Sequence, residues 1–183
     1  MRLTAATADD TRALGERLAR LLRPGDLVVL SGDLGAGKTT FTQGLGAGLG
    51  VRGDVTSPTF VVSRVHPPLG DGPPLVHVDA YRLGGLAELD DLDLDTSLEE
   101  AVTVVEWGEG LAEGLADDRL ELEILRPHGV TVPGEPGQGE PGQDEPGQDV
   151  TETRALRLTP VGPRWAGVDL SVLSDASASR AGK

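Results

Sequence analysis

The sequence predicts an α/β protein whose mostly parallel sheet is flanked by helices and carries an antiparallel hairpin at one edge. Two observations lead to this class. Residues 27–49 run from a short apolar segment through a glycine-rich turn into a helical pattern, and two later β-branched segments, at 75–79 and 101–106, each end in a carboxylate. Strands that alternate with helical or turn-rich segments in this way are typical of parallel sheets, which are covered on both faces.

Composition narrows the class of protein. The chain has 183 residues, enough for one core-bearing domain and hardly for two. Its formal net charge of −14 repels nucleic acid backbones, so a role on RNA or DNA would have to run through a partner. There is no cysteine, which excludes disulfides and thiolate metal sites. Neither a signal peptide nor a run of about 20 apolar residues is found, so we expect a cytoplasmic protein without membrane contact.

The glycine-rich turn has a specific pattern. Residues 32–39 read GDLGAGKT and fit G-x-x-x-x-G-K-[ST], the phosphate-binding loop. Its glycines let successive N–H groups point at phosphate oxygens, and the helix that begins near Gly37 adds its positive N-terminal end. Lys38 can reach the β- and γ-phosphates, and the Thr39 hydroxyl can ligate Mg²⁺. The sequence therefore predicts a nucleotide site in a domain of the P-loop NTPase class.

The remaining elements follow from hydrophobic periodicity and from capping and turn signals. The predicted order is an edge strand at 1–5, a helix capped by Thr7 and Asp10 with Leu14, Leu18, Leu21 and Leu22 on one face, a strand at 27–30, a helix from Lys38 to about Leu49, strands at 61–66, 75–79 and 101–106, a short helix at 111–115, and strands at 119–125 and 155–159. Residues 86–98, rich in Leu and Asp, have helical spacing but unreliable boundaries.

A single domain is predicted over residues 1–132 and 150–173. Residues 133–149 form a near-repeat of GEPGQ with almost no apolar area, so we expect a disordered insertion at the tip of the hairpin formed by the last two strands. The Ser- and Ala-rich tail at 174–183 is also expected to be disordered.

Two acidic residues are candidates for the chemistry. Asp79 and Glu106 each end a predicted parallel strand, and residues at that end of parallel strands line the ligand crevice. Both could therefore converge on Mg²⁺ and the γ-phosphate, although each could instead cap the turn that follows its strand. Thr59 lies in a Ser-Pro-Thr loop, where nucleotide switches keep a hydroxyl that senses the γ-phosphate.

Four motifs in this order carry a resemblance to a known family. GDLGAGKTTFTQGLGAGLG, TSPTF, HVDAYRL and VVEWGE resemble the TsaE (YjeE) family, the small bacterial P-loop ATPases of tRNA threonylcarbamoyladenosine (t6A) biosynthesis. The resemblance covers roughly residues 1–125. It implies ATP and Mg²⁺ as cofactors and TsaD and TsaB as protein partners. Because no clear arginine finger or Arg-rich lid is evident beyond Lys38, we expect weak ATPase activity in isolation. The acidic charge predicts contact with tRNA only through the partners.

The resemblance also assigns residues, by position in the matching motifs. It places catalysis on Glu106, Asp79 and Lys38, with Trp107 beside them, and Mg²⁺ on Thr39 and Glu106. The nucleotide-binding set that it implies is Gly35, Ala36, Gly37, Lys38, Thr39 and Thr40, together with Thr7 or Ala8 at the start of the first helix.

Three other functions share features with this sequence. A GTPase would need a guanine-specifying N-K-x-D, which the sequence lacks. A small-molecule or nucleotide kinase shares the loop and fold, but the Arg-rich lid of such kinases is not evident. A nucleotide-dependent binding module, with hydrolysis as a timer, is a further alternative.

The histidines His66, His77 and His128 lack metal-ligand spacing, and His77 is expected to pack in the core. Residues 90–95 fit a solvated acidic face better than a calcium loop.

Overall fold

The computed structural model describes residues 1–83, 98–126 and 153–174. The predicted 86–98 segment, apart from Leu98, lies outside the described residues, as do the acidic run at 90–95, His128, the insertion at 133–149 and the tail from 175 onward. The described elements are β1 (Arg2–Ala5), α1 (Ala8–Ala19), β2 (Leu27–Ser31), α2 (Lys38–Leu49), β3 (Ser63–His66), β4 (Leu75–Asp79), β5 (Val102–Glu106), β6 (Arg119–Leu125) and β7 (Arg154–Val161).

The described strands form one seven-stranded sheet in the order β1-β7-β6-β2-β5-β4-β3. Its centre, β6-β2-β5-β4, is parallel throughout. At one edge β3 runs antiparallel to β4, and at the other β7 runs antiparallel to β6 and to β1. The predicted α/β class with a mostly parallel sheet is confirmed, and antiparallel strands close both edges instead of one.

The sheet is covered on both faces, as its central strand requires. Leu27 to Leu30 of β2 are all buried, with Val28 and Leu30 in one hydrophobic cluster and Leu27 and Val29 in the other. Helices α1 and α2 cover the first face. Ala112, in the 3₁₀ turn Ala112–Gly114, packs on the second face. A strand buried on both faces needs apolar residues at every position, which explains the continuous LVVL run.

Helices α1 and α2 pack unusually closely because glycines line their contact. A Cβ at Gly44 would collide with the backbone of Arg12, and one at Gly15 would collide with the carbonyl of Phe41. Gly46, on another side of α2, faces Val55 and β4. The small residues of α2 therefore serve its contact with α1 as well as its contact with the sheet side.

Several predicted bounds are wrong, including the following three. Helix α1 ends at Ala19, so Leu21 and Leu22 lie in the following turn, still packed on the core. Strand β3 begins at Ser63, because the N–H groups of Val61 and Val62 both donate to the carbonyl of Pro58 and form a tight turn. The helix predicted at 111–115 is a single 3₁₀ turn.

Candidate functional site

The phosphate-loop sequence adopts a conformation that only glycines adopt readily. Gly32, Gly35 and Gly37 have φ angles of 132°, 74° and 112°. Gly37 is the N-cap of α2, and with no side chain it cannot accept from the first N–H groups of the helix. Backbone donors at a helix N-terminus attract anions. The loop therefore fits a phosphate group.

Lys38 lies across this loop instead of extending into solvent. Its Nζ donates to the carbonyl oxygens of Gly32 and Asp33 at 2.7 and 3.0 Å. It also lies 3.6 Å from the ring centroid of Trp107, and only 5% of the residue is exposed. Burial lowers the pKa of Lys38 from its ordinary value, and the negative charges of Glu106 and Asp79 oppose that shift.

Glu106 meets the loop from the end of β5. The Thr39 hydroxyl lies 3.0 Å from its Oε1 and 3.2 Å from its Oε2. On the sheet side, Nε2 of His77 lies 2.8 Å from the same Oε1. Only 2% of Glu106 is exposed. This carboxylate is thus held between the first turn of α2 and the middle of β4.

Asp79 stands beside Glu106, because β4 and β5 pair in register at these two residues. Its Oδ2 accepts hydrogen bonds from the hydroxyls of Thr59, at 2.5 Å, and Ser57, at 3.1 Å. Its Oδ1 accepts from the N–H of Tyr81 at 3.0 Å. Asp79 therefore caps the turn after its strand and also faces the loop that carries Thr59, and its role at Mg²⁺ and the γ-phosphate stays a prediction.

These side chains border one cavity of about 310 Å³. Of the residues predicted for the site, the cavity is lined by Gly35, Gly37, Lys38, Thr39, Thr40, Thr59, Asp79, Glu106 and Trp107. Ala36 and the two residues at the start of the first helix, Thr7 and Ala8, do not line it. Ala36 is fully buried, and its carbonyl accepts a hydrogen bond from Arg154 Nε at 3.0 Å. The Thr7 hydroxyl accepts from the N–H of Asp10 in a capping box, so its contact with a nucleotide stays a prediction.

Sequence reasoning missed three members of this neighbourhood. Ser57 lines the cavity, His77 bonds Glu106, and Arg154 bonds the phosphate loop. Each contact depends on pairing between distant segments. The HVD pattern placed His77 two residues before Asp79 on the same strand face, which is the signal that could have found it.

The oxygen donors fit a hard divalent cation. A hydroxyl and two carboxylates converge here, and Mg²⁺ prefers oxygen ligands. Among the described residues, no group of three or more His, Cys, Asp or Glu side chains could hold a metal by itself. At nucleotide sites Mg²⁺ is bound through one or two carboxylates, with phosphates and water completing its shell.

Comparison with known proteins gives the family. A family model described as "Threonylcarbamoyl adenosine biosynthesis protein TsaE" matches residues 5–130. The chain belongs to the TsaE family. The matched region includes the phosphate loop, the 57–60 loop and both strand-end carboxylates, so the cavity described above lies within the family's own domain.

Individual relatives agree with this assignment. The "tRNA threonylcarbamoyladenosine biosynthesis protein TsaE" of Streptomyces coelicolor is 60% identical over 164 residues, which cover 89% of this chain and 99% of that protein. The protein of the same name from Bacillus subtilis is 42% identical over 120 residues, or 64% of this chain and 73% of that protein. The crystal structure of Bacillus subtilis YdiB superimposes with a TM-score of 0.63 and 30% identity, covering 91% of this chain and 88% of that chain.

Within residues 1–83, 98–126 and 153–174, no helix is both long and apolar enough to cross a bilayer.

Proposed function

We propose that this member of the TsaE family is the Mg²⁺-dependent ATPase of tRNA t6A biosynthesis, acting in the cytoplasm with TsaD and TsaB. The pathway comes from the family and from the names of its relatives. The single observation that carries the ATPase activity is the Thr39–Glu106 contact at the start of α2, where a loop that fits phosphate meets a buried carboxylate.

The phosphate loop and Lys38 would bind the triphosphate. The N–H groups that begin α2 would donate to phosphate oxygens, and the Lys38 ammonium would move from the carbonyls of Gly32 and Asp33 to the β- and γ-phosphates. Because these carbonyls already hold Nζ over the loop, its positive charge is positioned before the nucleotide arrives.

The carboxylates of Glu106 and Asp79 would have different roles. Thr39 and Glu106 would hold Mg²⁺, which when bound supplies positive charge that offsets the charge on the phosphates. Asp79 would hold the hydroxyls of Thr59 and Ser57 toward the cavity, where they can contact the γ-phosphate or the attacking water. Positioning of this kind is the main contribution a protein makes to phosphoryl transfer.

The cavity rim suits a protein partner. Leu34, which lines the cavity, is 80% exposed. Phe60, the next residue after Thr59, is 86% exposed, and Tyr81, two residues after Asp79, is 62% exposed. Exposed apolar side chains close to a site favour association with another protein. The net charge of −14 disfavours direct contact with tRNA, so TsaD and TsaB would hold that substrate.

The test is ATP turnover by the purified chain alone, with TsaD and TsaB, and with a panel of nucleosides and sugars, each with and without Mg²⁺. We expect slow, Mg²⁺-dependent hydrolysis that the two partners accelerate, because missing positive charge or ordering at a phosphoryl-transfer site can lower the rate by about 10³. Stoichiometric phosphorylation of an acceptor, with no response to the partners, would instead place the chain among the P-loop kinases.

A further inference from the structure

His77 is a buried polar residue in the middle of an apolar strand. It is fully buried, and its neighbours on β4, namely Leu75, Val76 and Val78, are apolar and buried as well. In the pairing of β4 with β5 it stands opposite Val104, which makes it the diagonal neighbour of Glu106. Packing alone would be served at least as well by an aliphatic side chain.

The imidazole ring of His77 forms a hydrogen bond with Glu106. Nε2 lies 2.8 Å from Oε1 of Glu106, and since a carboxylate oxygen accepts, Nε2 carries the proton and donates. The other ring nitrogen, Nδ1, has no hydrogen-bond partner among the described residues. A buried ring nitrogen without a partner is unfavourable, so the contact with Glu106 accounts for the presence of an imidazole here.

The contact complements the one from Thr39. Thr39 holds Glu106 from the end of the phosphate loop. The loop and the Thr39 hydroxyl are the groups that would rearrange around nucleotide and Mg²⁺. His77 holds the same carboxylate from β4, an inner strand of the sheet whose residues are all buried. A glutamate side chain has several rotatable bonds, so a second donor on a rigid element restricts where its oxygens lie.

We propose that His77 is a positioning residue, which orients Glu106 toward Thr39 and the cavity through the Nε2–Oε1 hydrogen bond. The proposal rests on the function given above for Glu106. Donors that orient a metal-binding side chain typically change metal affinity or activity by about 10- to 100-fold when they are removed. We therefore expect an effect on turnover and on Mg²⁺ affinity that far exceeds the effect on ATP affinity without metal.

The experiment compares His77→Leu, which has no donor, with His77→Gln, whose amide reaches about as far as Nε2. The matched control is His66→Leu, which makes the same change at a buried histidine one strand farther from Glu106. The ring centroids of His66 and His77 lie 6.4 Å apart. Each variant is measured for kcat and KM in ATP turnover, for the factor by which Mg²⁺ raises ATP affinity in calorimetry, and for its melting temperature.

We expect His77→Leu to lower kcat and the Mg²⁺ factor by about 10-fold or more, with a smaller change in KM. His77→Gln should recover most of both, and His66→Leu should leave both unchanged. If His77→Leu fails to fold, His77→Asn takes its place, since it stays polar but its amide is too short to reach Glu106.

A double-mutant cycle decides whether His77 acts through Glu106. In a Glu106→Gln background, His77→Leu should have no further effect on kcat or on the Mg²⁺ factor. The same fold-loss in both backgrounds would overturn the proposal and assign His77 to packing. Normal turnover and Mg²⁺ response in Glu106→Gln alone would overturn the proposed function of Glu106 instead.

Discussion

Lys38 and Trp107 show how single residues at this site are held in unusual states. Trp107 has a φ of 61°, a conformation that non-glycine residues adopt at a cost, and its ring lies over the Lys38 ammonium. The ring centroids of Tyr81 and Trp107 lie 5.1 Å apart. The strained backbone places an aromatic face where it partly replaces the water that a buried ammonium loses.

The lowered pKa of Lys38 leads to a pH-dependent prediction. Since the pKa is lower in the folded state than the ordinary 10.5, the charged lysine destabilises the fold relative to the neutral one. The wild type should therefore gain stability relative to Lys38→Met as pH rises from the lowered pKa toward 10.5. Thermal melts of both proteins between neutral pH and about 10 measure this difference.

Lys38→Met should at the same time abolish most of the nucleotide affinity at neutral pH, which calorimetry can measure, because the variant keeps the side-chain stem but lacks the charge. A constant stability difference across the pH range would contradict the burial effect on Lys38. Unchanged ATP affinity would contradict the assignment of the phosphate loop.

Residues that a local motif specifies were predictable, and residues brought in by strand pairing were not. Gly37, Lys38 and Thr39 follow from the spacing of one short loop. The contact between His77 and Glu106 depends on the register of β4 against β5, which hydrophobic pattern alone does not set for two strands that are apolar at nearly every position. Arg154 reaches Ala36 from 118 positions away along the chain.

At the level of elements, the α1–α2 contact positions the start of α2, where the phosphate loop ends. Gly15 and Gly44 let the two helix backbones approach more closely than any residue with a Cβ would allow. The Cβ that would be built on Gly37 lies 3.7 Å from a methyl carbon of Thr11, so α1 also borders the start of α2. Helix propensity argues against so many glycines in α2, and tertiary packing overrides it.

Gly44→Ala tests this account. The substitution should raise intrinsic helix stability by roughly 1 kcal/mol, yet the new methyl group would collide with the backbone of Arg12. Overpacking against an immobile backbone typically costs about 1–3 kcal/mol, so we expect the melting temperature to fall.

The matched control is Ala47→Gly, at an exposed position of the same helix, which should lose only the propensity difference of about 1 kcal/mol. A higher melting temperature for Gly44→Ala would show that the helices can separate to accept a side chain.

Element types were predictable, and several ends were not. The β-branched run at 61–66 gave the correct strand, but Val62 lies in the left-handed region with a φ of 67°, in a turn closed by Pro58. The 3₁₀ turns after β7 carry no periodic pattern, yet they bury Trp165 and Leu173 against the first face of the sheet. Those positions are set by tertiary packing on the finished sheet.

For the whole molecule, the strand order explains where the site lies. Strand β2 lies between β5 and β6 at the centre of the sheet. Its C-terminal end leads directly into the phosphate loop. The β6–β7 hairpin approaches the same loop, since Arg126 lies 3.4 Å from where a Cβ on Gly35 would be and Arg154 bonds Ala36. The chain between these two arginines includes the GEPGQ near-repeat.

Deleting residues 134–148 should leave both the melting temperature and ATP turnover nearly unchanged. The deleted residues offer almost no apolar area, and shortening a hairpin connection changes its closure entropy only slightly. A Gly/Ser replacement of equal length serves as the control for loop length. A fall of several degrees in the deletion variant alone would show that the repeat packs on the domain, and loss of partner-stimulated turnover would make it a contact surface.

The central claim is that this site hydrolyses ATP through Glu106, and Glu106→Gln tests it most directly. Gln keeps the shape of the side chain but removes the charge that would hold Mg²⁺ beside Thr39. ATP binding by calorimetry and turnover in the presence of TsaD and TsaB are measured on the same preparation, with Asp79→Asn alongside. For Glu106→Gln the account predicts retained ATP binding without Mg²⁺, a smaller gain in affinity from Mg²⁺, and a loss in turnover of about 10² or more. Normal turnover in Glu106→Gln, with turnover abolished in Asp79→Asn, would contradict it.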